Sequence, residues 1–179
     1  MGLRNRWNNE GCPYFVTSTV VEWANIFDAP QKFDILCASL NFCASKFDCF
    51  VIAYCLMPNH LHLVLWPQKS ASISDLMRDF KKYTSVKVRM LLERNGDERS
   101  MDVLRRNAAA QKRQVFKLWQ SRFDDLVLTQ RETMITKINY IHDNPVRKGL
   151  VSAAEDWQYS SARDYMLGEA TSVTICKDW

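Results

Sequence analysis

Two histidines separated by one residue are the clearest chemical feature of the sequence. His60 and His62 stand in the alternating segment HLHLVLW. Side chains alternate between the faces of a strand, so both imidazoles project to one face while Leu61 and Leu63 point to the core. Imidazole commonly binds divalent metals, and two supply half of a coordination shell. The spacing predicts a metal site, with two unliganded strand histidines as the alternative; His142, at a helix end, is interpreted as a packing or capping residue.

A tyrosine in a basic helix is the candidate nucleophile. Tyr83 lies in the string RDFKKYTSVKVR, with Arg78, Lys82 and Lys87 within a helical turn or so. A phenol reacts poorly at neutral pH because its pKa is about 10, but nearby cations favour the phenolate. A metal held by the histidines would polarise the phosphate that the phenolate attacks. The set predicts phosphodiester cleavage, whereas simple packing of Tyr83 in the helix is the alternative.

The charge of the chain is distributed unevenly. The net charge is +4, but residues 78–122 contain thirteen Lys and Arg against five Asp and Glu, so this third carries +8 and the remainder −4. Such asymmetry predicts an anionic partner, most often nucleic acid, although a solvated basic helix face would look the same. The basic side chains expected to contact DNA are Arg78, Lys81, Lys82, Lys87, Arg122, Arg147 and Lys148.

Composition excludes some classes of protein. Charged residues make up 25% of the chain, and no stretch of eighteen apolar residues could span a bilayer, so no membrane partner is expected. The first residues lack the apolar run of a secretory signal. None of the six cysteines forms a C-x-x-C pair, which favours reduced core thiols and a cytoplasmic protein.

The elements that position these residues follow from apolar periodicity. Strands are predicted at 13–21, 48–57, 60–66 and about 125–129. Helices are predicted at 31–47, from Ser72 or Ser74 to Asn95-Gly96, and at 130–142, where Asn144-Pro145 stops the helix, with a further helix in the tail. This order predicts one α+β domain over residues 1–179, an antiparallel sheet with helices mainly on one face. Residues 97–115 show no wide apolar face and are predicted to form a flexible or DNA-ordered basic insertion.

Several segments together resemble one family. MPNHLHLVLWP at 57–67, LMRDFKKYTS at 76–85, YIHDNPVRKGLV from 140 and DWQYSSARDY up to 165 occur in the order seen in the REP-associated tyrosine transposases. These belong to the single-tyrosine transposases with a histidine-hydrophobe-histidine motif. The N-terminal RWNNEGCPYFVTSTV also fits, so the resemblance covers most of the chain.

The resemblance implies a fold and a mechanism. The fold would be a ferredoxin-like α+β domain, acting as a monomer or homodimer. His60 and His62 would bind Mg²⁺ or Mn²⁺. Tyr83 would cleave single-stranded DNA at hairpin-forming palindromes, becoming joined to the 5′ phosphate and leaving a free 3′ hydroxyl. A C-terminal extension at about 143–179 would help to read the palindrome.

One position departs from the family pattern. Relatives often supply a third metal ligand, an amide or a histidine, about one turn beyond the tyrosine, and Lys87 stands there. Asp79, one turn before Tyr83, could provide an oxygen ligand or act as a base. Alternatively, Lys87 contacts the phosphate and water completes the metal shell. A third possibility is a hairpin-binding protein that no longer cuts. A small metal hydrolase built on the histidine pair lacks further ligands.

Overall fold

The computed structural model describes residues 11–68, 72–108 and 115–179. Four strands form one antiparallel sheet in the order β2-β3-β1-β4, namely β1 Tyr14–Thr19, β2 Cys49–Leu56, β3 His60–Pro67 and β4 Asp124–Val127. The helices are α1 Pro30–Lys46, α2 Ile73–Asn95, α3 Glu98–Ala108, α4 Arg131–Arg147 and α5 Ala162–Leu167. Two short 3₁₀ turns, Val21–Trp23 and Ala154–Asp156, complete these elements.

Apart from the short Val21–Trp23 turn and the additional helix α3, the elements from β1 to β4 follow the ferredoxin-like order β1-α1-β2-β3-α2-β4, which confirms the predicted fold class. One face of the sheet packs on α1, α2 and α3, and β3 contributes Leu61, Leu63 and Leu65 to that core. The opposite face is also partly covered, because α4 packs its Ile138 and Ile141 against it. Helices therefore lie mainly on one face, with α4 on the other.

Both ends of α2 agree with the signals in the sequence. The Ser72 side chain accepts a hydrogen bond from the backbone N–H of Asp75 at 3.2 Å, as expected of an N-cap residue. Gly96 follows the last helical residue with a φ of 66°, a left-handed conformation that glycine adopts without steric cost. The predicted helix from Ser72 to Asn95-Gly96 is thus confirmed.

The prediction that residues 97–115 form a flexible or DNA-ordered insertion is wrong over α3. Residues 98–108 form a helix that buries Met101, Leu104 and Ala108, spaced three and four residues apart. This stripe is narrow, but α2 and the Val21–Trp23 turn pack against the helix and remove it from water. Residues 109–114 of the predicted insertion lie outside the described residues.

The predicted end of α4 is also wrong. The helix continues past Asn144 and Pro145 and ends at Arg147, with Lys148 as its C-cap residue and Gly149 next in the chain at a φ of 66°. Leu150 N–H donates to the Pro145 carbonyl and Gly149 N–H to the Val146 carbonyl, both at 2.9 Å, which is a Schellman motif. Proline removes only one hydrogen bond this close to the helix end, and burial of both residues retains them in the helix.

The C-terminal segment packs back onto the sheet. The Leu56 N–H donates to the Tyr159 carbonyl, and the N–H groups of Ser161 and Cys176 donate to carbonyls of β2, all at 2.8 to 2.9 Å. The helix expected in the tail is α5. The described cysteines are free thiols, and four of them are buried. Among the described helices, none combines the length and the apolar character needed to cross a membrane.

Candidate active site

His60 and His62 lie side by side on β3, with their ring centroids 4.9 Å apart. Their neighbours Leu61 and Leu63 are fully buried on the opposite face, which confirms the predicted alternation. The two imidazoles are themselves only 6% and 5% exposed, because α4 covers this face of the sheet. The pair is therefore held in a confined, partly desolvated environment.

Hydrogen bonds orient both rings. His60 Nδ1 lies 2.7 Å from Asn59 Oδ1, while Asn59 Nδ2 donates to the Trp23 carbonyl at 3.2 Å. The amide is thereby oriented with its oxygen toward His60, so His60 Nδ1 carries the proton and Nε2 keeps a lone pair. His62 Nδ1 lies 2.8 Å from Thr17 Oγ1. Both of these hydrogen bonds engage Nδ1, an arrangement typical of histidines that bind a metal through Nε2.

Both histidines favour the neutral form that a metal requires. Burial lowers the pKa of His60 to about 4, and the Lys148 ammonium adds to this effect. Burial lowers the pKa of His62 to about 3, with smaller contributions from His60 and Lys137. At neutral pH both imidazoles are therefore uncharged, the form in which a histidine binds a metal.

Within one chain, Tyr83 does not lie beside the histidine pair. The prediction that Tyr83 attacks a phosphate held at that pair is therefore wrong for a single chain. Tyr83 projects from α2, which packs on the leucine face of β3, while the histidines occupy the other face. Its ring is 45% exposed and stacks on Phe42 of α1 with centroids 6.3 Å apart. The sheet separates the predicted nucleophile from the predicted metal ligands.

The other predicted residues of α2 are also on the far side of the sheet. Asp79 binds the Lys46 ammonium at 2.6 Å and Arg78 at 3.4 Å, and these cations, Lys46 first, lower its pKa. Asp79 is therefore neither a ligand nor a base at the histidine pair. The Lys81 ammonium donates to the carbonyls of Gln120 and Arg122 at 2.6 and 3.3 Å. The exposed Lys82 and Lys87 belong to this same helix.

The tyrosine that the structure brings to the pair is Tyr140 of α4. Its ring centroid is 5.4 Å from that of His62, and it also contacts Phe15 at 6.1 Å. Two cations lie over the same ring, with Lys137 Nζ at 5.6 Å and Arg147 Cζ at 5.4 Å from the centroid. The side chain is half-buried. In the sequence, the segment YIHDNP contributed to the resemblance, to the interpretation of His142 and to the predicted helix end, but its tyrosine was not a predicted nucleophile.

Asn144 lies one helical turn after Tyr140 and is 5% exposed. Its Oδ1 is buried without a hydrogen-bond partner. The Asn144 side chain is close enough to His60 to raise the pKa of that imidazole, against the larger lowering effect of burial. An unpartnered amide oxygen beside two neutral imidazoles fits a divalent metal site. No cluster of three or more His, Cys, Asp or Glu with metal-binding geometry occurs in the described ranges.

Of the basic residues predicted to contact DNA, Arg147 and Lys148 are the two at this site. Arg147 covers the Tyr140 ring, and Lys148 lines a cavity of about 220 Å³ together with His60 and Trp23. Lys137 is a site residue that the sequence reasoning missed; its Nζ lies 4.8 Å from the Phe15 ring centroid as well as over Tyr140. The site thus combines a phenol, two imidazoles and a rim of cations.

His142 is a packing residue, as the sequence indicated. It is 2% exposed, its Nε2 lies 2.8 Å from Ser161 Oγ, and its ring contacts Tyr165. Burial lowers its pKa to about 4. The residue links α4 to the C-terminal segment rather than to the histidine pair.

We expect acid to destabilise the fold partly through His142. The unfolded chain binds this proton near pH 6.5 and the folded chain only near pH 4, so the free energy of unfolding falls as the pH drops between these values. The full lowering of the His142 pKa corresponds to about 3 kcal/mol in the free energy of unfolding. Urea titrations from pH 7 to pH 4 measure it, and His142→Gln should show a shallower decline than the original chain. Equal declines in the two proteins would contradict this origin.

Comparisons with known proteins identify the family and support the fold. The profile of the family described as "Transposase IS200 like" matches residues 20–144, a range that contains His60, His62, Tyr140 and Asn144. A Haemophilus influenzae protein described as a REP-associated tyrosine transposase is 26% identical over 110 residues, 62% of this chain and 57% of that protein. The match thus spans little more than half the length of this relative.

A solved structure shares the fold over nearly the whole chain. It is a REP-associated tyrosine transposase bound to a REP hairpin, with a TM-score of 0.69 and 19% sequence identity. The similarity covers 98% of this chain and 92% of that one. At this identity the likeness demonstrates the architecture, including the C-terminal segment.

Proposed function

This chain belongs to the IS200-like transposase family, and we propose that it cleaves and rejoins single-stranded or hairpin DNA through a 5′-phosphotyrosine intermediate. The observation that carries the proposal is the convergence of Tyr140, the histidine pair and Asn144 on one face of the sheet. A phenol beside a metal-binding set and a cationic rim has the parts needed for phosphoryl transfer.

Tyr140 is the proposed nucleophile. Its hydroxyl oxygen forms a bond to phosphorus as the bond from phosphorus to the 3′ oxygen breaks. The phenol releases its proton, and the departing 3′ oxygen takes one up. Lys137 and Arg147 lie over the ring and neutralise charge on the phosphate as the two oxygens exchange. The reverse reaction restores the phenol and rejoins a DNA strand, since the phosphotyrosine conserves the bond energy.

His60, His62 and Asn144 would hold Mg²⁺ or Mn²⁺, through the two Nε2 atoms and the unpartnered amide oxygen. A bound divalent ion would act as a Lewis acid that polarises the scissile phosphate. Asn59 and Thr17 orient the imidazoles through their Nδ1 atoms, which holds each ring in place before a metal binds.

Hairpin DNA is the proposed substrate because a structural neighbour is a transposase bound to a REP hairpin. Arg147 and Lys148 would contact backbone phosphates near the scissile bond. The exposed basic side chains of α2 and Arg122 form a second cationic region, on the other side of the sheet. Recognition of the palindrome by residues 143–179, a cytoplasmic location and a monomeric or dimeric state belong to this proposal as well.

The alternative of a binder that no longer cuts lacks its original support. It rested on Lys87 in the position of the third ligand, but Lys87 lies 5.5 Å over the Tyr83 ring, away from the histidines. Counted from Tyr140, the residue one turn further along is Asn144, an amide. Tyr83 would reach a histidine pair only if a second copy of the chain presented it.

The proposal is tested by incubating the protein with palindromic hairpin oligonucleotides in Mn²⁺, in Mg²⁺ and in a chelator. We expect a protein–DNA adduct that survives denaturation in either metal and is absent in the chelator, while hairpin binding persists in all three solutions. Binding without an adduct in any metal would support the non-cutting alternative. Absence of hairpin binding would contradict the whole proposal.

A further inference from the structure

A small pocket beside His60 has features that cleavage alone does not require. We propose that it binds the unpaired nucleobase next to the scissile phosphate, stacked on the indole of Trp23. This inference rests on the proposed function. It adds a specificity-determining site on the residues that precede α1 and those that follow α4.

The shape and lining of the pocket suit a flat aromatic ligand. The Trp23 ring is 57% exposed, yet its centroid is only 5.6 Å from that of the buried His60. Leu150, 43% exposed, Met57 and Pro58 line the same cavity of about 220 Å³. Proteins that bind single strands stack bases on exposed aromatic rings. An indole this close to a metal ligand would hold the base adjoining the cleaved bond.

Polar groups at the pocket match the rest of a nucleotide. Lys148 lines the cavity, so its side chain is available to contact a phosphate joined to the stacked base. Both groups of the Asn59 amide are engaged, one with His60 and one with the Trp23 carbonyl. The exposed Asn25, which also lines the cavity, is therefore the amide that could read the edge of the base.

The backbone holds Trp23 in an unusual conformation. Glu22 and Trp23 have φ values of 54° and 56°, in the left-handed region that bulky residues rarely adopt. The Glu22 carboxylate is fastened by Arg106 Nε at 3.0 Å and by Asn107 Nδ2 at 2.8 Å, both from α3. Strain of this kind persists where surrounding contacts maintain it, and it clusters at ligand sites. The α3 contacts thus pre-position the indole before DNA arrives.

The test is an abasic scan combined with Trp23 variants. Hairpin oligonucleotides carry a single abasic site at each flanking unpaired position in turn, and fluorescence anisotropy measures binding in a chelator, so cleavage does not interfere. We expect one position at which loss of the base weakens binding by the original chain about tenfold or more. Trp23→Ala should weaken binding to intact DNA by a similar factor. On the DNA that already lacks the base, the same substitution should weaken binding little further.

Two further variants control for folding and for aromatic surface in general. Trp23→Phe keeps an aromatic ring and should retain most of the affinity for the hairpin. Phe42→Ala removes a ring that is equally exposed, at 58%, but lies on the opposite side of the sheet, and it should leave binding unchanged. Additive losses from Trp23→Ala and the abasic site would overturn the inference. Failure of the original chain to bind any hairpin would instead contradict the proposed function.

Discussion

Tyr140→Phe is expected to abolish the covalent adduct with hairpin DNA, whereas Tyr83→Phe should form it at the original rate. Phenylalanine keeps the ring that contacts His62 and Phe15 but lacks the oxygen that attacks phosphorus. Tyr140→Phe should therefore eliminate cleavage and leave hairpin affinity nearly unchanged. A 3′-end-labelled oligonucleotide, separated on a denaturing gel, reports the adduct because the protein becomes joined to the 5′ phosphate of the labelled fragment.

The paired tyrosine variants are matched controls for one another. Each removes a single phenolic oxygen from a helix of the same domain, and only Tyr140 faces the histidine pair. An adduct that persists in Tyr140→Phe and disappears in Tyr83→Phe would contradict catalysis within one chain. Restoration of that adduct on mixing Tyr83→Phe with His62→Ala would then indicate a dimer that shares its site.

His60→Ala and His62→Ala are expected to lower the single-turnover cleavage rate about a thousandfold, the effect of losing several kcal/mol of transition-state stabilisation. Neutral imidazoles with oriented Nε2 atoms are the principal donors of the proposed metal site. Hairpin affinity in a chelator should stay unchanged, because the rim cations Arg147 and Lys148 remain. Rates measured across a Mn²⁺ titration separate weaker metal binding from slower chemistry.

Asn144 provides a graded comparison within this experiment. Asn144→Asp retains an oxygen donor and should keep more activity than Asn144→Ala, which leaves the two imidazoles alone. His142→Gln is the control, because it replaces a histidine of the same helix that lies outside the site. This variant should cleave normally, provided that its melting temperature shows that it is folded. Equal cleavage by His62→Ala and the original chain would show that the histidine pair is not part of the catalytic site.

Several features of the fold and the site could be predicted because they depend on local periodicity and chemistry. Alternation along β3 determined that His60 and His62 share a face, and Ser72 and Gly96 marked the ends of α2. The α3 helix and the true end of α4 were missed, since a narrow apolar stripe and a proline near a helix end become stable only when neighbouring elements pack on them.

The histidine pair was evident in the sequence, but the tyrosine next to it was not. Only the tertiary structure shows that Tyr140, and not Tyr83, lies beside the pair within one chain. Both stand in basic helices, so local chemistry does not distinguish them. The choice depends on which helix covers which face. Because α2 packs against the leucines of β3, the alternating histidines must face α4, and there the structure also places Asn144, the third donor of the proposed metal site.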